Sequence, residues 1–557
     1  MTKSTGAATG ALLDIQNLQV TFATDGGNVE AVSGVSLTLN KGEVLAIVGE
    51  SGSGKSVTAK SILHMLPSTA VTRGAIFLNG KDIFALNADE IRQVRGADAA
   101  MVFQEPSTAL NPVYTVGWQI AEGIRAHAPK GTKISAKEAR AKAIDILRRV
   151  GIPEPEVRVD YYPHQFSGGQ KQRVVIASAL VLEPDLIIAD EPTTALDVTV
   201  QAEILDLLRD CRDSLGASIL LITHNMGVVA DLADRVAVMY QGHLLEEAPV
   251  RELFKNPKAD YTKKLLAAVP RIGAGKGHTR SVGSAKLEPT VVARDLSIEY
   301  PGRFNKPAFK AVSNVSFEIG AGEVVGLVGE SGSGKTTIGR AIAGLTRITG
   351  GSLNVVGQEM LGFKESRFRS VRDQIGFVFQ DPASSFNPLL TIADCIAEPM
   401  VVHGQAKNTD DARKRILELL DAVQLPKNFA DRYPHELSGG QRQRASLARA
   451  LALQPKLVIA DEPTSALDVS VQAKVLDLFA QLQREFGFAS LFITHDLAVV
   501  DQIADRILVL YRGELVEHGM ARDVLTAPKH EYTKKLLLSQ PIPDPAAQAA
   551  KRKKNSI

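Results

Sequence analysis

Cysteine is almost absent: Cys211 and Cys395 are the only two in 557 residues. Two thiols cannot build a disulfide framework, and so low a count fits a reducing compartment. Neither has metal-ligand partners at a useful spacing. In "EILDLLRDC", Ile204, Leu207, Leu208 and Cys211 share one helical face, which predicts a buried core thiol. Long hydrophobic runs are missing too. The most apolar stretches, such as "VVIASALVL" from Val174, fall far below the roughly 18 residues of a membrane span. The start, "MTKSTGAATGALLDIQ", lacks the apolar core of a signal peptide. Excess charge of one sign is absent as well. Lys and Arg number 64 against 62 Asp and Glu, too even a balance to argue for nucleic acid as the main partner. The chain is therefore expected not to cross a membrane alone. Its end, "KRKKNSI", reads as a short basic tail, solvated and disordered or touching an acidic lipid surface.

What is present is a repeat. "GESGSGKS" from Gly49 returns as "GESGSGKT" from Gly329. "VFQEP" ending at Pro106 returns as "VFQDP" ending at Pro382, and "YPHQFSGGQKQR" from Tyr162 as "YPHELSGGQRQR" from Tyr433. "LIIADEPTTALDVTVQA" from Leu186 returns as "LVIADEPTSALDVSVQA" from Leu457, "LLITHN" as "LFITHD", and "DYTKKLL" as "EYTKKLL". Six blocks in one order at near-constant spacing mean two homologous domains head to tail, since the period is too long for a solenoid. Residues 1–270 and 290–540 are the two domains. Residues 271–289, rich in Gly, Ser and basic residues, read as a flexible linker, and 541–557 as the basic tail. Each half reads as α/β. "EVLAIVG" and "LIIAD" are short apolar runs of the kind found in buried parallel strands. A mostly helical stretch lies between Gln104 and Ser167. Its "SAKEARAKAIDILRRV" opens with a Ser135–Glu138 capping box and aligns Ala143, Ile144, Leu147 and Val150.

The glycine-rich stretches fit a phosphate-binding loop between a strand and a helix. Gly49, Glu50, Ser51, Gly52, Ser53, Gly54, Lys55 and Ser56, with Val57 behind them, form the first. Gly329, Glu330, Ser331, Gly332, Ser333, Gly334, Lys335 and Thr336, with Thr337, form the second. Glycines let backbone N–H groups converge on phosphate oxygens, and a helix N-terminus adds its dipole. Lys55 and Lys335 reach the β- and γ-phosphates, while the Ser56 and Thr336 hydroxyls suit Mg²⁺. A bland glycine-rich turn would explain one isolated match but not two in the same strand–loop–helix setting. Asp190 and Asp461 end apolar strands, where a second Mg²⁺ ligand belongs, and Glu191 and Glu462 are suited to polarise an attacking water. An Asp-Glu pair there could alone be a helix cap; after a phosphate loop the chemical reading is preferred.

"FSGGQ" at Phe166–Gln170 and "LSGGQ" at Leu437–Gln441 resemble the signature of ABC ATPases, and the resemblance covers nearly the whole chain. It implies two tandem ABC-type P-loop ATPase domains, each with a mixed or parallel sheet, a helical subdomain and an antiparallel β portion. It makes Gln104 and Gln380 Q-loop residues that reach Mg²⁺ and water, and His224 and His495 switch histidines at the γ-phosphate. Asp197 and Asp468 resemble D-loop residues, and Phe22 and Tyr300 are placed like the adenine-stacking aromatic. In this family a signature serves its partner's nucleotide. Ser438, Gly439, Gly440 and Gln441 would then complete the Lys55 site, and Ser167, Gly168, Gly169 and Gln170 the Lys335 site. Fusion makes that pairing intramolecular, at an effective concentration on the order of millimolar.

"FQEPSTALNPVYTVGWQIAE", "FQDPASSFNPLLTIADCIAEP" and the two "YTKKLL" blocks resemble ATPases of oligopeptide, dipeptide and nickel importers. The implied protein is the ATP-hydrolysing subunit of a di- or oligopeptide importer, with ATP and Mg²⁺ as cofactors. It would sit peripherally on the cytoplasmic face of a bacterial cell membrane. It would dock on two permeases, with an external binding protein acting through them and no nucleic acid. Nickel or glutathione-type import is the alternative cargo, and a soluble ABC ATPase acting on ribosomes or nucleic acid is the rival class. Many members of the group carry a four-cysteine iron–sulfur site; with only Cys211 and Cys395 none is expected here.

Overall fold

A computed structural model describes residues 10–24, 27–129, 131–194, 196–273, 288–302, 308–465 and 467–555. Most of the segment read as a linker, residues 274–287, lies outside the described residues. Contacts divide the chain into two units. The first comprises Met1–Leu196, Val200–Val269 and Pro541–Ile557; the second comprises Asp197–Thr199 and Pro270–Gln540.

In the first unit the strands Val44–Val48, Leu186–Asp190 and Ser218–Ile222 are buried at every position. Unbroken apolar runs are what parallel strands covered on both faces require. They lie in a six-stranded sheet ordered His243–Pro249, Arg235–Tyr240, Val44–Val48, Ser218–Ile222, Leu186–Asp190, Ala99–Val102. All run parallel except His243–Pro249, which pairs antiparallel with Arg235–Tyr240. Leu45 and Ile47 pack with Ile15, Val20 and Ile76 of a four-stranded antiparallel sheet. From the opposite face Val44, Ala46 and Val48 join Ile146, Leu147, Val174 and Ile176 of the helices. Register places Ile47 beside Ile222 and Ala189 beside Leu221. The strands therefore end together, and the glycine loop, Glu191, His224 and Gln104 all follow at one sheet edge. That carboxyl edge is where open parallel sheets bind ligands.

The second unit repeats the plan. Its six-stranded sheet is ordered Ile375–Val378, Leu457–Asp461, Ala489–Ile493, Val324–Val328, Arg506–Tyr511, Glu514–Met520, beside a second four-stranded antiparallel sheet.

The helix Ala136–Arg149 carries the expected capping box: Ser135 Oγ accepts the Glu138 N–H at 3.1 Å and Glu138 Oε2 accepts the Ser135 N–H at 2.9 Å. Its buried stripe is Ala139, Ala143, Ile146 and Leu147, extended by Val150. Ile144 lies only at the margin, because the stripe is centred one step further round the helix. Cys211 is a core thiol as expected, and burial pushes its pKa up to about 11.

The tail expected to be solvated and disordered is instead the helix Pro545–Asn555, packed with the first unit. Asp544 Oδ1 accepts the Ala546 and Ala547 N–H groups at 2.8 and 2.9 Å, and an alanine-rich run continues the helix. Arg552 Nε lies 2.7 Å from the buried Asp231 and its Nη2 2.8 Å from Asp206. Gln548 donates to Asp231 Oδ1 at 2.6 Å, while Arg209 holds the other Asp231 oxygen at 3.0 Å. Burial pushes the Lys551 ammonium down to about 8. Changing Arg552 to Ala leaves the buried Asp231 one cation short. It should cost about 1–3 kcal/mol and lower the first unit's melting midpoint by roughly 2–10 °C, as read by calorimetry.

Candidate functional site

The glycine loops close on the lysines that follow them. Gly54 and Gly334 cap the helices Lys55–Ile62 and Lys335–Ile342 with φ of 97° and 104°. A Cβ at Gly54 would stand 2.5 Å from the Ala31 carbonyl oxygen, and one at Gly334 2.6 Å from that of Ala311. Only glycine fits both the left-handed backbone and the close approach. Lys55 Nζ donates to the Gly49 and Glu50 carbonyls at 2.8 Å each. Lys335 does the same to Gly329 and Glu330, at 2.8 and 2.7 Å. Each ammonium therefore sits inside its own loop, and burial pushes the Lys335 ammonium down.

The carboxylates face these loops. Ser56 Oγ donates to Asp190 Oδ1 at 3.0 Å, and Thr336 Oγ1 to Asp461 Oδ1 at 3.1 Å. Burial raises both aspartates above the ordinary carboxylate range. The adjacent glutamates move the other way. Burial works to raise Glu191, but the His224 ring and the Thr194 hydroxyl outweigh it. At Glu462 burial is outweighed by His495 and Lys335, with help from Gln380. Both stay ionised at neutral pH, as a base for water must. His224 Nδ1 lies 3.1 Å from Glu191 Oε1, and His495 Nδ1 3.4 Å from Glu462 Oε1. Gln104 Nε2 donates to Glu191 Oε2 at 2.9 Å and Gln380 Nε2 to Glu462 Oε2 at 3.1 Å.

Loop, aspartate, glutamate, glutamine and histidine thus meet within each unit. The signature residues form helix N-termini. Ser167 Oγ accepts the Gln170 N–H and Gln170 Oε1 accepts the Ser167 N–H, a reciprocal cap repeated by Ser438 and Gln441. Gly168, Gly169, Gly439 and Gly440 sit in the first turns, whose N–H groups have no partner within the helix. A Cβ at Gly169 would press on Val200 Cγ1 at 2.6 Å. Phe166 and Leu437 are buried beneath these turns. Asp197 is half-buried, and burial raises its carboxyl. Asp468 precedes the helix Val469–Phe486 without capping it through its side chain. Phe22 packs partly into the core, while Tyr300 ends its strand with an exposed ring.

Two sets of residues escaped the sequence reading. Tyr261 and Tyr532, from the "YTKKLL" blocks, accept the N–H groups of Glu50 and Glu330 at 3.1 and 2.9 Å. Their rings pack on Tyr240 and Tyr511. The repetition of the block in both halves was the available signal. The other set is the pair Thr194 and Ser465, beside the glutamates.

The ABC transporter family model matches residues 32–194 and 312–465. The model described as "Oligopeptide/dipeptide transporter, C-terminal region" matches 245–292 and 516–557. The chain is 45% identical over 575 residues to the glutathione import ATP-binding protein GsiA of Escherichia coli (strain K12), covering 98% of this chain and 92% of the relative. It is 45% identical over 573 residues to the protein of the same name from Salmonella typhimurium, covering 97% and 91%. Among solved structures it is similar to the dimeric structure of MJ0796, a bacterial ABC transporter cassette. That similarity has 33% identity and a TM-score of 0.39, covering 42% of this chain and 98% of that one.

Proposed function

The chain belongs to the ABC transporter family, as the ATP-binding subunit of a peptide-type importer, and from that premise we propose that it powers uptake through two hydrolytic ATP sites. In this reading Lys55 and Lys335 hold the β- and γ-phosphates. Ser56, Gln104 and Asp190 would hold Mg²⁺ in one site, and Thr336, Gln380 and Asp461 in the other. The donor set supports that fit, for it consists of hard oxygens, and each aspartate is a buried carboxyl that a cation would keep ionised. Such a cation neutralises charge on the phosphate oxygens. Glu191 and Glu462 take a proton from water as its oxygen attacks the γ-phosphorus and the bond to ADP breaks. His224 and His495 fix those carboxylates and face the γ-phosphate. The signature turns, at helix N-termini, offer N–H donors to a γ-phosphate. Asp197 and Asp468 act as D-loop residues, and Phe22 and Tyr300 are the candidates to stack on adenine.

We further propose two permeases as partners, with an external binding protein acting through them, and residence at the cytoplasmic face of the cell membrane. Among the described residues no helix is long and apolar enough to cross a membrane. Exposed apolar side chains follow each Q-loop glutamine and would suit permease helices. Tyr114 and Trp118 stack at 4.0 Å in the first unit, and Leu389 is 83% exposed in the second.

For cargo we propose short peptides of the glutathione kind. The observation that carries this is the 45% identity to a glutathione import ATP-binding protein, supported by the peptide-type C-terminal region in both halves. The test is uptake of labelled glutathione, a dipeptide and nickel in cells lacking the gene and in cells with it restored. Glutathione or dipeptide uptake should return with the gene. Return of nickel uptake alone would overturn the cargo.

A further inference from the structure

The two glutamates are not held alike. Glu191 has φ 47° and Glu462 φ 46°, left-handed conformations that are costly for a residue with a Cβ. The kink turns the following chain back, so that the main-chain N–H of Thr194 reaches the Glu191 carbonyl at 3.2 Å and that of Ser465 the Glu462 carbonyl at 3.3 Å. Side chains then diverge. Thr194 Oγ1 donates to Glu191 Oε2 at 2.8 Å, joining Gln104 on that oxygen while His224 faces the other. Ser465 Oγ donates instead to the Glu462 main-chain oxygen at 3.2 Å. A hydroxyl has one proton, so that donation leaves none for the carboxylate. The β-methyl of threonine restricts χ1, whereas serine turns freely to whichever acceptor is nearer. The Gln380 and His495 contacts to Glu462 are also longer than their counterparts.

We propose that Thr194 is a positioning residue that fixes the Glu191 carboxylate toward the attacking water, and that serine at 465 makes the second site the slower. This rests on the reading of Glu191 and Glu462 as the bases. A carboxylate tethered on both oxygens presents one lone pair to water; one with a looser tether spends time in other orientations, and reaction rate follows the fraction of time in line.

The test is single-turnover hydrolysis of prebound ATP with one site silenced. In a Glu462→Gln background, Thr194→Val should slow hydrolysis about 10-fold with ATP affinity and melting midpoint unchanged, and Thr194→Ser should fall between. In a Glu191→Gln background, Ser465→Thr should speed hydrolysis several-fold. If Thr194→Val leaves the rate intact, or Ser465→Thr gains nothing, the positioning role is overturned. If Thr194→Val changes affinity or stability as much as rate, the hydroxyl is merely structural and the inference fails. If Glu191→Gln itself leaves hydrolysis at the Lys55 loop unchanged, the fault lies with the base assignment.

Discussion

Glu191→Gln should trap ATP at the Lys55 loop, and Glu462→Gln at the Lys335 loop. Glutamine keeps the size of the side chain and an oxygen for Thr194 or Gln104 to donate to, but it cannot accept a proton from water. Loss of a general base typically costs about 10²–10⁴-fold, so each change should slow hydrolysis at its own site by that order while ATP still binds. Steady-state turnover should fall with either change alone, and further with Glu191→Gln, whose site is the faster, because each half carries its own loop, aspartate and histidine. Binding and turnover measured on the same preparations decide. If Glu191→Gln leaves turnover untouched while Glu462→Gln abolishes it, one site alone is catalytic.

Lys55→Ala combined with Lys335→Ala should remove nucleotide binding and, with it, uptake. Each lysine is nearly fully buried, 6% and 5% exposed, and bonded to two carbonyls of its own loop. Truncation therefore does two things. It deletes the cation meant for the phosphates, and it leaves inward-facing carbonyls without a donor, at about 1–3 kcal/mol each. ATP affinity should drop by at least about 100-fold, from the loss of a charged clamp in a water-poor site. Binding of a fluorescent ATP analogue reads the first effect, and labelled-peptide uptake reads the consequence. Uptake at the normal rate in the double variant would exclude this chain as the energy source.

How much could be read from letters depended on how far apart the partners lie. Ser135 with Glu138, Ser167 with Gln170 and Gly54 before Lys55 are local pairs whose geometry follows from spacing. Glu191 and His224 stand 33 positions apart and were joined by family resemblance alone. Tyr261 was passed over because its partner, the Glu50 N–H, is 211 positions away on a backbone atom that no side-chain pattern records. Thr194 looked like any polar turn residue, and its difference from serine is one methyl group. The basic tail was misread because a run of charge normally means solvent. Here its partners lie far back on the first unit: Gln548 reaches Asp231 across 317 positions and Arg552 reaches Asp206 across 346.

A ribosome delivers Asp206 and Asp231 long before it delivers Arg552. At roughly 5–20 residues per second, the 346 positions from Asp206 to Arg552 take about 17–70 s to synthesise. For most of that interval, from the moment Pro249 completes the last strand of its sheets, the first unit exists without its last helix. The part of the protein begun first is thus completed only after the sheets of the second unit have been made, once translation has passed Arg552. A product cut short near residue 540 would retain every motif of both ATP sites and still leave Asp231 without Gln548 and Arg552. Such a product would be marked by a weakened first unit rather than a damaged second one, which a protease could sense before any transporter was assembled.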